Sequence, residues 1–337
     1  MNNKIFNKLQ LVKPVIEIEN RVNLKPIVSV LLITYNHQEY ITQSIESILN
    51  QKTNFDFEII IGEDDSNDGT RKICLEYANK YPEKIRLLLH NKENKLFRNG
   101  HPTGSFNFLY SLNECRGRYV AVCDGDDYWH YNKKLQLQYD FLIRNAEYKT
   151  VLTDFTKLYV KTNTSFEAYN YYKKNERIDR DISNKKIFEK EIKITRTCTF
   201  FFDISIIQSF LQTGIDVPYD TLLILHALQE GKVRYLATDT STYRIMVNSA
   251  SKTNDFSKQQ SFLAEYISII EFSIPFFKLN KTENSYLNKQ KRMYEIKEMA
   301  DKKKIIKTLI IAIKAALSGH FSKNILKSIQ YSFRKNK

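Results

Sequence analysis

Residues 117–129 read GRYVAVCDGDDYW, and this stretch decides the fold. Tyr119–Cys123 is a short apolar run without polar alternation, the pattern of a strand buried on both faces. It runs straight into Asp124-Gly125-Asp126-Asp127. Three similar runs lie upstream: Ile27–Thr34 (IVSVLLIT), Phe57–Gly62 (FEIIIG) and Ile85–His90 (IRLLLH). Helical patterns separate them. Ile41, Ile45, Ile48 and Leu49 share one helical face, with Asn36 a plausible N-cap. Thr70–Asn79 turns Ile73, Cys74 and Tyr77 inward. Ser105–Cys115 and Asn132–Arg144 also read as helices. Strand and helix in strict alternation predict an α/β fold: a mostly parallel central sheet with helices on both faces.

Beyond residue 145 the alternation loosens. Lys149–Asp154 and Thr197–Ile204 read as strands, Tyr219–Leu228 as an apolar helix, and Lys232–Leu236 and Thr240–Ile245 as two short strands. Residues 161–190 are charged and rich in Tyr, Asn and Lys, and read as a flexible insertion. Residues 1–25 read as a polar extension or short helix, and 255–337 as mainly helical. The expected division is an extension (1–25), a main domain (26–250) and a C-terminal basic helical region (251–337).

The composition fits a folded core. Of 337 residues, 42% are apolar and 27% charged, which excludes a disordered chain. Nine Gly and six Pro are too few for a turn-rich β-sandwich. No apolar run reaches the roughly 18 residues of a spanning helix, and residues 1–20 lack a leader pattern. Four widely spaced cysteines without a CxxC suit a reduced, cytoplasmic protein. The formal net charge of +14 is uneven: residues 301–337 hold nine Lys, one Arg and one Asp. Within that tail Ile305, Ile306, Leu309, Ile310, Ile313, Ala316 and Leu317 share a helical face opposite Lys307 and Lys314. A basic amphipathic helix suits an anionic membrane surface, or docks on its own domain. It lacks the interleaved aromatics of a single-strand nucleic-acid binder, so no nucleic-acid partner is expected.

In an open parallel sheet, ligands bind beyond the carboxyl ends of the strands. Three polar clusters fall there: Thr34-Tyr35-Asn36, Glu63-Asp64-Asp65 and Asp124-Gly125-Asp126-Asp127. Three carboxylates within four residues repel one another unless a cation sits among them. Asp-x-Asp can offer oxygens to Mn2+ or Mg2+, which in turn binds a diphosphate. Gly125 leaves room for close approach. An aromatic beside a carboxylate, as in Tyr35 and Asp64, can stack on a base and accept an N–H from its rim.

The segments VSVLLITYNHQEYITQSIESILNQ, FEIIIGEDDSNDGT and GRYVAVCDGDDYW, in this order and spacing, resemble the family 2 glycosyltransferases. The resemblance is close over roughly 27–145 and extends with gaps to about 250. It implies a GT-A fold, with residues 26–145 holding the nucleotide-sugar and 146–250 the acceptor. It also implies an inverting, metal-dependent enzyme using Mn2+ or Mg2+ and a nucleotide-diphosphate sugar, usually a UDP-sugar. The acceptor would be a saccharide or lipid-linked molecule of cell-surface polysaccharide synthesis, at the inner face of the membrane. Carried over by position, Tyr35 stacks on the base, Asp64 bonds its rim, Asp124 contacts the ribose or the metal site, and Asp126 holds the metal. Thr34, Asn36, Glu63 and Gly125 complete the donor-nucleotide set. Asp220 matches the general base, and Arg244, in TYRIMVNSAS, would lie near the diphosphate. Met246 stands where that segment often has His, and Tyr219 precedes Asp220 in place of the usual Glu or Gly.

Two rivals remain at this point. A catalytically silent nucleotide-binding scaffold is compatible with Met246 and the context of Asp220. A nucleotidyltransferase would want a Gly-rich loop after the first strand, where this chain has TYNHQEY. The six histidines form no ligand spacing, Arg98 is a further candidate for phosphate or acceptor, and Phe200-Phe201-Phe202 reads as core.

Overall fold

The structure, a computed structural model, describes residues 11–98, 101–160, 166–170, 178–182, 196–216, 220–246 and a few positions between 281 and 295. In chain order the elements are β1 (Ile16–Glu17), β2 (Val28–Thr34), α1 (Ile41–Leu49), β3 (Phe57–Glu63), α2 (Thr70–Lys80), β4 (Ile85–Leu89), β5 (Leu96–Arg98) and β6 (His101–Thr103). Then come α3 (Ser105–Asn113), β7 (Tyr119–Asp124), β8 (Tyr128–Trp129), α4 (Lys134–Arg144), β9 (Tyr148–Val160), β10 (Phe166–Asn170), β11 (Arg180–Ile182), β12 (Phe200–Asp203), α5 (Ile204–Thr213), α6 (Asp220–Glu230) and β13 (Lys232–Ile245).

The main sheet runs β1-β4-β3-β2-β7-β12-β9-β13-β11, and β5 with β6 forms a separate hairpin. Its centre is the parallel set β4-β3-β2-β7. β12 is antiparallel to both β7 and β9, and β9 is parallel to β13. The apolar runs form these strands because both faces are covered. Val30, Leu32, Ile59, Ile61, Ala121 and Cys123 pack with Ile41, Ile45 and Ile48 of α1 on one face. By strand alternation Leu31, Ile60 and Val122 fill the other, and all three are fully buried. Glycine is needed at Gly62, where α3 closes on β3. A Cβ there would stand 2.0 Å from Asn107 Oδ1, and Asn107 Nδ2 donates to the Gly62 carbonyl at 2.8 Å. The α/β expectation with a largely parallel centre and helices on both faces therefore holds.

Several local expectations are corrected. Ile16–Glu17 is neither helix nor loose extension but an antiparallel edge strand on β4. The segment 161–190 carries β10, an extension of the β9 edge, and β11, paired with β13. Thr197–Thr199 is a 3-10 turn, so the strand starts only at Phe200. The two short strands after α6 are one 14-residue strand, β13, whose register slips around Asp239. That irregularity is what made it read as two. Phe200, Phe201 and Phe202 are fully buried, as expected of core. All four cysteines are buried and unpaired.

The chain divides into one unit of 1–183 with 191–245 and another of 184–190 with 246–337. The second is described at helical positions such as Lys291 and Glu295, whose charges approach to 3.8 Å. The basic amphipathic tail lies outside the described residues. Among the described residues no helix is long and apolar enough to cross a membrane.

Candidate active site

The chain order sets the site. From β2 the chain adds β3 and β4 on one side, then crosses back to place β7 on the other. That reversal makes the carboxyl ends of β2 and β7 a topological switch point, where the loops diverge and leave a crevice. Thr34, Glu63 and Asp124 are the last residues of β2, β3 and β7, so the three clusters read from the sequence do meet along one edge.

Gly125 lies against β2. Its amide donates to the Ile33 carbonyl at 2.7 Å, and a Cβ there would fall 2.5 Å from Thr34 Oγ1 and 2.7 Å from His37 Nδ1. Thr34 and His37 are themselves joined, Oγ1 to Nδ1, at 3.2 Å. Burial, aided by Arg244 and opposed by Asp68, pushes His37 down to about 4, so it is neutral at pH 7. Gly125→Ala is therefore expected to force this turn off β2 at a cost of about 1–3 kcal/mol, read as a lowered midpoint in urea unfolding.

The acidic turn separates its carboxylates by job. Asp127 is fully buried: Oδ1 accepts the Arg244 amide at 2.9 Å, while Oδ2 has no partner. Burial, with Asp126 and Asp124 nearby, raises it well above the usual carboxylate range. Ser44 Oγ donates to the carbonyls of Gly125 (2.8 Å) and Asp127, clamping the turn to α1. Asp124 and Asp126 are only partly covered. Asp124 accepts the Thr197 hydroxyl, and burial and Asp126 raise it to about 7 against that bond. Burial raises Asp126, opposed by Arg244. Two carboxylates held above their ordinary range in one turn form a donor set short of positive charge.

Arg244 is brought here by β13. Ser241 and Thr242 pair with Trp129 and Tyr128 of β8, so the turn is stapled to the strand carrying the arginine. Its guanidinium donates to the Asp126 carbonyl and to Gln43 Oε1, and lies 4.9 Å from the Tyr40 ring centre and 4.7 Å from that of Tyr128.

The other half of the crevice is built on β3. Asp64 is buried, with Lys95 Nζ 3.2 Å from Oδ2. Burial lifts Asp64 to about 6 against the pull of Lys95, with Glu63 and Asp65 adding to the rise. The same ammonium sits 3.5 Å from the centre of the Tyr35 ring, which is 43% exposed. Tyr35 and Asp64 thus do sit together, bridged by a lysine that the sequence reading overlooked. A cleft of about 580 Å³ opens here, lined by Tyr35, Asp65, Lys92, Lys95, Phe97 and Pro102 among others.

Two members of the expected donor set also hold the neighbouring loops. Glu63 is buried, and its oxygens are taken by the Ser66 amide (2.7 Å) and by Arg71. These contacts order the loop after β3. Asn36 is not the N-cap of α1; that position is Tyr40. Asn36 adopts φ 55° and ties the loops together, its Oδ1 accepting the Asn67 amide at 3.0 Å while its own amide donates to Ser66 Oγ. Asp65 has φ 59°, and its carboxylate receives the Lys92 amide and pairs with Arg71 at 3.1 Å. Asp220 is the first residue of α6, and the preceding 217–219 lie outside the described residues. Thr197 on Asp124 was also missed; its signal was only a polar residue beside a strand start. Lys95 was visible as one of two lysines in the loop after β4, Lys92 being the other, with nothing to show where it reaches.

A family model described as Glycosyl transferase family 2 matches residues 29–210, more than half of the chain. The chain belongs to that family. Rv1520, an uncharacterized protein of Mycobacterium tuberculosis, is 37% identical over 119 residues, 35% of this chain and 32% of that protein. The minor teichoic acid biosynthesis protein GgaB of Bacillus subtilis is 39% identical over 100 residues, 29% of this chain and 10% of its own length. The match thus spans about a third or less of these relatives. Among solved structures, S. aureus TarS 1-349 in complex with UDP superposes with a TM-score of 0.57 at 15% identity, covering 92% of each chain. At that identity the likeness is one of fold.

Proposed function

We propose that this chain transfers a sugar from a UDP-sugar to a saccharide or lipid-linked acceptor in cell-surface polysaccharide synthesis, inverting the anomeric centre. The observation that carries this is the meeting of polar groups at the ends of β2, β3 and β7: Tyr35 and Asp64 gather around Lys95, and the Asp124–Asp126 turn, backed by Arg244, follows the strand on the other side of β2. The aromatic–carboxylate pair suits a base, and the acidic turn with its arginine suits a cation-bound diphosphate. The family and the names of its relatives support the class; TarS was solved with UDP.

Mn2+ or Mg2+ fits the acidic turn. Among the described residues no cluster of three or more His, Cys, Asp or Glu is placed to hold a metal. A hard cation shared with a diphosphate needs only one or two protein carboxylates, however, and Asp126 with Asp124 supplies them. When bound, the cation would offset the charge gathering on the leaving diphosphate. Arg244 adds fixed positive charge at the same place, already aimed by Tyr40, Tyr128 and Gln43, so little reorganisation is needed. Asp64 accepts the N–H of the base, and Thr34 with Gly125 lets the nucleotide lie close to the backbone. Asp220, opening α6, takes the proton of the acceptor hydroxyl as its oxygen bonds to the anomeric carbon from the far side; the bond to the diphosphate breaks and UDP leaves. Residues 26–145 hold the donor and 146–250 face the acceptor. The basic tail, 301–337, suits a peripheral position on the anionic inner face of the membrane.

Calorimetry with UDP and GDP, each with Mn2+ and with EDTA, tests this reading. UDP should bind with Mn2+ at least tenfold more tightly than in EDTA, and more tightly than GDP. Absence of binding by either nucleotide would sink the donor assignment.

A further inference from the structure

The hairpin of β5 and β6 leaves an unexplained feature. Phe97 is 65% exposed, a large apolar ring with no ring partner among the described residues. It lines the same cleft as Tyr35. Thr103 Oγ1 holds the hairpin shut by donating to the Leu96 carbonyl at 2.9 Å, and Phe97 pairs across it with Pro102, which also lines the cleft.

Lys95 and Phe97 are two residues apart in extended backbone, so they project from the same face of the hairpin strand. Lys95 places its ammonium on the Tyr35 ring. Phe97 and Tyr35 are thus two exposed aromatic rings lining one cleft, and a flat base can be held by stacking on such rings. The geometry points to Phe97 as the second wall of the base pocket, facing a uracil already stacked on Tyr35. Stacking requires the Lys95 ammonium to leave the Tyr35 face, and its flexible four-carbon stem allows that. This rests on the UDP reading above and adds a residue that would set how tightly the base is held.

The test titrates UDP and, separately, inorganic pyrophosphate, both with Mn2+, into the full chain and its Phe97→Ala and Phe97→Trp variants. Because the ring is exposed, its removal leaves the core untouched. Base–aromatic stacking is worth about 1–3 kcal/mol per base, so Phe97→Ala should weaken UDP about tenfold and leave pyrophosphate unchanged. Phe97→Trp should restore UDP affinity, and its emission, above the Trp129 background, should fall on adding UDP but not pyrophosphate. Unchanged UDP affinity in Phe97→Ala, or equal losses for UDP and pyrophosphate, would overturn the assignment while leaving the donor reading standing. Failure of the unaltered chain to bind UDP would overturn both.

Discussion

Replacing Asp126 with asparagine is expected to lower the rate of sugar transfer about a thousandfold while the protein stays folded. The substitution keeps the shape of the side chain and removes its charge. Asp126 is partly exposed, and its contribution to the turn is made by its backbone carbonyl, which receives Arg244. Loss of the carboxylate therefore leaves the scaffold in place. What changes is the electrostatics at the turn proposed to hold the leaving diphosphate. Charge stabilisation of this kind is worth several kcal/mol in the transition state, and each 1.36 kcal/mol is a factor of ten. Steady-state transfer from a UDP-sugar measures the loss, and calorimetry gives a second reading: the difference between UDP binding in Mn2+ and in EDTA should vanish. A variant that keeps a tenth or more of its rate would show that the acidic turn is not the metal site.

How much of this was legible beforehand depended on the kind of signal. The four parallel strands were readable because they are buried on both faces, which leaves a continuous apolar run in the sequence, as in Ile59, Ile60 and Ile61. The ends of those strands placed the three polar clusters together without any knowledge of side-chain geometry. The antiparallel half was harder. β13 is interrupted by Asp239 and Thr240 where its register slips, so one strand looked like two. β1 has only two paired residues, with Ile16 59% exposed, and gives no periodic pattern at all. Within the site, the sequence ranked residues by type, whereas the fold ranks them by neighbours. Asp124, Asp126 and Asp127 are alike on paper. Burial and the Arg244 amide tie Asp127 into the turn, whereas Asp124 and Asp126 stay partly exposed. Glu63 gives no hint in the sequence that Arg71, eight residues on in the next helix, pairs with it. Lys95 and Tyr35 lie sixty residues apart, and only the return of the chain from β4 joins them.

The largest effect on stability is expected at the β4 strand that carries Arg86, away from the crevice. Arg86 is fully buried in β4, beside Glu58 of β3. It donates to Glu17 Oε1 at 2.8 Å and to the Glu114 carbonyl at 2.7 Å, and it lies 3.5 Å from Glu58 and 3.4 Å from the Glu114 carboxylate. One cation thus ties β1, β3, β4 and the end of α3 together. Glu58 is equally buried; it also accepts the Ser29 hydroxyl at 2.6 Å and the Arg116 amide at 3.1 Å. Arg86→Met removes the charge and leaves Glu58 inside without it. Breaking a buried pair from one side costs about 3–5 kcal/mol, whereas the Glu17 and Glu114 contacts, about a third exposed, add little. At about 2–4 °C per kcal/mol for a domain of this size, the melting midpoint should fall by roughly 10 °C. The loss should also depend on pH. Burial raises the Glu17 carboxyl, but the bonds and charge of Arg86 outweigh it and hold Glu17 below its usual 4.5. A depressed carboxyl stabilises the fold above its unfolded pKa and loses that contribution as pH falls through its folded value. Because the Glu17 contact is a small part of the whole, the gap between the unaltered protein and Arg86→Met should be only slightly wider near neutrality than below about pH 4. Adding Glu58→Met to Arg86→Met removes the stranded charge and should recover part of the midpoint. If the double variant is instead less stable than the single, the cluster acts through the bonds of Glu58 to Ser29 and Arg116 and not through its pairing with the arginine.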